Sequence, residues 1–186
     1  RVLFRSQTAC CFTGHRPERL PFRYEEQHPD CLRLKELLRQ EIVRLIVEEG
    51  VTRFITGMAL GIDQICAELV LELKETYPQV TLECAIPYEE QAAKWTIPQR
   101  DRYFDIIVRS DTASQLQGTY SRDCMKRRNR YMVEKSGHVL AVWDGAARGG
   151  TGQTVRYARE LGREMAIIHP VTLEIIREKK TEPARK

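Results

Sequence analysis

The stretch Phe54-Ile55-Thr56-Gly57-Met58-Ala59-Leu60-Gly61-Ile62-Asp63 decides the fold. Phe54 and Ile55 belong to a short apolar run, and from Ile62 a helical spacing of apolar residues takes over. A glycine-bearing turn between a buried strand and a helix start leaves backbone N–H groups beside the positive end of a helix dipole. Phosphate or carboxylate binds readily there. The chain repeats the arrangement twice. Thr13-Gly14-His15-Arg16-Pro17 follows the apolar run at 9–12, and Asp144-Gly145-Ala146-Ala147-Arg148-Gly149-Gly150-Thr151-Gly152 follows the run at 139–143. A single glycine often only turns the corner; loops of this kind after several strands imply a shared ligand crevice.

Outward from these loops, strand and helix alternate. Strands are predicted at 8–12, 52–56, 79–86, 113–116, 138–143 and 164–169. Helices are predicted at 31–49 (capped by Asp30), 62–76, 98–109, 122–135 and 151–161. The pattern predicts an α/β protein: a single Rossmann-like domain over 8–170, with a mostly parallel sheet and helices on both faces. Residues 1–7 and 171–186 read as terminal extensions, the basic stretch 177–186 as a solvated tail.

With 186 residues, 42% hydrophobic and 30% charged, the chain can bury a core without disulfides or metals. A net charge of +4 is too mild for a dedicated duplex-binding surface, so nucleic acid is not an expected partner. The six cysteines show no CxxC and no Cys/His ligand spacing. They read as small hydrophobes in a reducing, cytoplasmic compartment, with no metal and no cofactor expected. No apolar run reaches the length of about 18 residues needed to span a bilayer, and residues 1–7 lack the apolar region of a signal peptide.

The candidate ligand-binding residues lie in and around the loops. Gly57, Gly61 and Asp63 read as a phosphate or ribose cradle, or more plainly as a turn and a helix cap. Three glycines among Gly149, Gly150, Thr151 and Gly152 exceed what a cap requires and read as a second anion cradle, with Asp144 opening that loop. Gly14 and His15 accompany Arg16, which suits a fork to phosphate or carboxylate. In the basic run 126–130, helical geometry lets at most two side chains reach one site, and Arg128 and Asn129 are the candidates. Glu90, Gln91 and Trp95 follow the third predicted strand as polar contacts and a stacking or packing face. No serine elbow, paired-cysteine motif or HExxH occurs, so no catalytic residue is assigned.

These motifs together resemble the YpsA-like branch of the SLOG superfamily, Rossmann-like relatives of DprA and of LOG phosphoribohydrolases. The resemblance runs from residue 8 to about residue 168. It is carried by a TGxRP-type loop (Thr13, Gly14, Arg16, Pro17) and a TGxxxGxD-type loop (Thr56, Gly57, Gly61, Asp63). A PYxEQxxxW-like stretch (Pro87, Tyr88, Glu90, Gln91, Trp95) and an RNxxMVxxS-like helix (Arg128, Asn129, Met132, Val133, Ser136) follow, then a strand ending in Trp143-Asp144-Gly145. The resemblance implies a cytoplasmic binding or sensor protein for a nucleotide or nucleotide-derived ligand such as ADP-ribose or an NAD derivative. It also implies links to stress and cell division, and a homodimer assembled through the basic helix.

Matching LOG's glycine loop sets Gly149, Gly150 and Gly152 in place and aligns Arg128 with LOG's arginine. Gln153 stands where LOG has threonine, and Arg156 where LOG has its catalytic glutamate. Glycosidic cleavage needs a carboxylate at the sugar, so the alternative, a nucleoside-monophosphate phosphoribohydrolase, requires Glu90 or Asp63 in that role. A DprA-like single-strand binder is the third reading, and it lacks an evident basic groove with interleaved aromatics.

Overall fold

A computed structural model describes residues 7–180; of the extensions expected at 1–7 and 171–186, residues 1–6 and 181–186 lie outside the described residues. The strands are β1 (Ala9–Gly14), β2 (Arg53–Thr56), β3 (Thr81–Ile86), β4 (Thr112–Gln115), β5 (His138–Val142), β6 (Glu164–Ile168) and β7 (Ile175–Glu178). The helices are α1 (Pro29–Val47), α2 (Ile62–Leu73), α3 (Ile97–Arg109), α4 (Cys124–Glu134) and α5 (Gly150–Glu160), and a 3-10 turn at Pro17–Arg19 follows β1. All seven strands form one sheet in the order β4-β3-β2-β1-β5-β6-β7. Every neighbouring pair is parallel except β6–β7. Parallel neighbours cannot be joined by a hairpin, and the helices provide the crossovers.

Side-chain alternation divides the core into two layers. Cys10, Phe12, Phe54, Leu82, Leu140 and Ile168 face α1, α2 and α3, and the rings of Phe12 and Phe54 stack at 5.6 Å. Cys11, Ile55, Ala85, Val139, Ala141 and Ile167 face the opposite way, onto Met132 and Val133 of α4 and Val155 and Ala158 of α5. The expected Rossmann-like α/β architecture is what the chain adopts. No helix among the described residues is long and apolar enough to cross a membrane.

Several boundaries differ from the sequence reading. Pro29 at the first helical position moves the start of α1 back, so His28 rather than Asp30 is its cap; the His28 Nδ1 accepts from the Asp30 amide at 3.2 Å. Pairing with β5 carries β1 through Thr13 to Gly14. The solvated tail expected from residue 177 is corrected over β7. Arg177 pairs with the buried Glu41, and Arg159 donates to both carboxylate oxygens of Glu178 at 3.0 and 2.6 Å. These charged partners let a short, polar stretch close the sheet edge.

Beyond β1 the chain steps outward through β2 and β3 to β4, then returns across the sheet to β5 on the other side of β1. The register Gly14↔Val142 brings the C-terminal ends of β1 and β5 side by side. Open parallel sheets bind ligands at such a reversal of strand order.

Candidate functional site

A cleft of about 420 Å³ opens at this reversal, walled by the β1 loop, the start of α2, one face of α4 and the first turn of α5. At its floor His15 is buried, with Nε2 3.0 Å from Asp144 Oδ1 and 3.4 Å from the Asp144 amide. The same nitrogen serves as donor to the carboxylate when protonated and as acceptor from the amide when not. Burial pushes the His15 pKa down, against the pull of Asp144. Burial alone would raise Asp144, but the Ala146 amide, His15 and Arg19 outweigh it and hold the carboxylate below its ordinary range. Arg19, Asp144 and His15 thus clasp the β1 loop to the β5 loop, Arg19 reaching Asp144 Oδ2 at 3.1 Å.

Several glycines exist for protein contacts. A Cβ on Gly14 would lie 2.5 Å from the Ile62 Cβ, and one on Gly61 would lie 2.8 Å from the His15 carbonyl oxygen. Gly61 also holds φ +92°, a conformation L side chains rarely adopt, and caps α2. A Cβ on Gly57 would stand 2.5 Å from the Arg128 guanidinium. Arg128 donates Nη1 to the Gly57 carbonyl and Nε to Asn129 Oδ1 at 2.9 Å. The buried Gln91 donates to the same Gly57 carbonyl at 3.2 Å and accepts from the Tyr103 hydroxyl at 3.4 Å.

Asp63 lies at the start of α2, buried, and accepts from the Ala59 amide at 3.2 Å. Burial raises its pKa, opposed by Arg128, the Ala59 bond and Arg16. Burial likewise disfavours the Arg128 charge, and Asp63 counters it. Each charge therefore opposes the loss of the other.

The third wall is the loop after β5. Asp144 Oδ1 accepts from the Ala146 amide at 3.0 Å, and the Trp143 indole donates to the Ala146 carbonyl at 3.1 Å. Gly152 packs there, since its Cβ would lie 2.7 Å from that carbonyl oxygen. Arg156 donates to the Ala147 carbonyl at 2.7 Å and pins the loop from behind. Gly149, at φ +104°, caps α5 without a side chain, so the amides of Gly150, Thr151 and Gly152 meet no acceptor among the described residues. A Cβ on Gly150 would have only Asn129 Nδ2, at 3.8 Å, within reach. This glycine leaves space in front of bare amides at a positive helix end, and that space is anion-competent.

Of the residues singled out in the sequence, Gly14, His15, Arg16, Asp63, Arg128, Asn129, Gly149, Gly150 and Thr151 line the cleft. Gly57, Gly61 and Gly152 stand behind its wall, and Asp144 clasps the rim. Glu90 is exposed in the turn after β3 and does not reach it. Trp95 packs edge-to-face on Tyr103 at 5.4 Å as part of the core. Sequence reasoning missed Glu18, Arg19 and Ala59, which line the cleft, and Gln91 as the tether of the Gly57 loop. Arg16 is exposed at the cleft, and its side chain makes no hydrogen bond or ion pair with a described residue.

All six cysteines are buried and unbridged. Burial pushes Cys11 up to about 12 and Cys31 up to about 11, far from a thiolate nucleophile at neutral pH. Among the described residues, Glu49, His138 and Glu164 bring ligand-capable atoms within 4.8 Å of one another, at the end of the sheet opposite the cleft.

Fold and cleft together define a Rossmann-like α/β protein whose switch point carries an uncapped helix start. The chain belongs to the YspA SLOG family, whose YpsA profile matches residues 10–176. It is 32% identical over 158 residues to the uncharacterized SPbeta prophage-derived protein YoqJ of Bacillus subtilis (strain 168), covering 77% of this chain and 92% of that one. It is 29% identical over 170 residues to the UPF0398 protein BH1768 of Halalkalibacterium halodurans, covering 88% and 89%. Among solved structures, DNA processing protein A (DprA) from Streptococcus pneumoniae superposes with a TM-score of 0.56 at 15% identity. That match covers 86% of this chain and 50% of the DprA chain, so this chain spans about half its length. At that identity the likeness is one of fold.

Proposed function

We propose that this chain is a cytoplasmic binding or sensor protein for a nucleotide or nucleotide-derived ligand of the ADP-ribose or NAD type. The observation that carries the reading is the uncapped first turn of α5, opened by Gly149 and Gly150 into a cleft where the Arg16 side chain makes no ion pair with a described residue. A ligand phosphate accepts from the amides of residues 150–152, and Arg16 supplies charge from the facing loop. Asp63, on the cleft wall, accepts from a ribose hydroxyl. Nucleic acid is not part of the proposal. Arg16, Arg19 and Arg128 are offset by Glu18, Asp63 and Asp144 at the same cleft, which gives little net charge for a phosphate backbone.

Isothermal titration with AMP and ADP-ribose tests the reading. A Cβ at position 150 clears its neighbours, so Gly150→Val folds while its γ-methyls fill the anion space. We expect wild-type binding and a loss of at least about tenfold in the variant, or about 1.4 kcal/mol. Equal affinities in the two proteins overturn the cradle.

One observation favours a second reading, an N-glycosidase acting on a nucleoside monophosphate. Asp63 is a buried carboxylate of raised pKa on the cleft wall, the setting expected of an acid–base residue. Arg156, at the position of LOG's glutamate, is turned to the Ala147 carbonyl and supplies no carboxylate. Release of free base from AMP by the wild type, abolished in Asp63→Asn, is the result that selects this reading over binding alone.

A further inference from the structure

A second cavity, about 250 Å³, runs between α4 and α5 and is lined by Lys126, Asn129, Arg130, Arg156, Tyr157 and Glu160 among others. Asn129 belongs to the walls of both this groove and the cleft, so the two meet at its side chain. The orientation of that amide is fixed by chemistry. Oδ1 must be the atom facing the Arg128 donor, which turns Nδ2 toward Gly150 with no acceptor among the described residues. A ligand phosphate seated on α5 therefore has a donor at the junction.

Beyond the junction the groove is cationic. Lys126 and Arg130 make no ion pair with a described residue, and Arg156 spends one donor on the Ala147 carbonyl; Glu160 is the single carboxylate on the wall. Arg130 is held in place rather than left to sweep through solvent. Its guanidinium lies 5.1 Å from the centre of the Tyr157 ring, and the Tyr157 hydroxyl donates to Glu134 at 2.6 Å. A stacked, oriented guanidinium next to an unpaired ammonium matches a second phosphate.

We infer that the α4–α5 groove is a second anionic subsite, and that it selects a pyrophosphate-linked nucleotide over a mononucleotide. The proximal phosphate rests on the amides of α5, Asn129 donates at the bridge, and Lys126 and Arg130 take the distal phosphate. The inference rests on the phosphate cradle proposed above.

The test is titration of AMP and ADP-ribose into the wild type, the exposed double variant Lys126→Ala/Arg130→Ala and Gly150→Val, each checked for folding by circular dichroism. The expected result is ADP-ribose binding about tenfold or more tighter than AMP in the wild type, in line with two added charge-assisted bonds. The double variant is expected to bring that ratio to about one while AMP affinity stays the same. Equal wild-type affinities, or a ratio that survives the double substitution, overturn the subsite and leave the cradle standing. Absence of binding by both ligands overturns the cradle and the subsite together.

Discussion

Gly61 meets two demands at one position: a left-handed backbone at φ +92° and a carbonyl oxygen 2.8 Å from where a Cβ would sit. Gly61→Ala is expected to destabilise the protein by about 1–3 kcal/mol, and for a chain of this size each kcal/mol lowers Tm by about 2–4 °C. A thermal melt checks this; an unchanged midpoint would show that the β1 loop moves aside. His15 makes a second prediction. Burial lowers its pKa below the ordinary 6.5, so the unfolded chain binds its proton more readily. Its contribution to stability is therefore complete above pH 6.5 and is lost as pH falls below that value. His138 is lowered by burial in the same way and adds to the slope. Tm should drop on acidification from pH 7 to about pH 5, and His15→Gln should flatten part of that fall. A variant with the wild-type slope would refute the assignment.

At the scale of elements, the sequence showed most of the fold where a strand or helix is buried on an apolar face. β5 and α2 read plainly because their apolar residues have nowhere else to go. The glycine loops were also placed at the correct edge of the sheet. What each glycine does was not legible, because Gly14, Gly57 and Gly61 are required by Ile62, Arg128 and His15, all distant from them in sequence. Glu90 and Gln91 show the same gap. In a turn there is no fixed alternation to say which of two neighbouring polar residues points inward, and the amide rather than the carboxylate reaches Gly57. β7 was read as tail because Ile175-Ile176 is a single apolar pair followed by charges. Those charges find Glu41 and Arg159 only in the folded sheet.

For the molecule as a whole, β7 is the antiparallel strand that covers the edge of β6. Ending the chain after Glu174 would uncover the backbone of β6 along residues 165–168 and remove two ion pairs. We expect a lower Tm and increased light scattering on warming, since an open sheet edge templates association. A truncated protein that melts and scatters like the full chain would show that β7 is dispensable.

The clasp between His15 and Asp144 joins residues 129 positions apart. Its consequence is temporal. As the chain leaves the ribosome, β1 and its loop emerge first, yet the opposing wall is not synthesised until α5 follows. The cleft therefore has no partial version during synthesis, and the ligand capture proposed above can begin only once α5 has been made and folded onto β1.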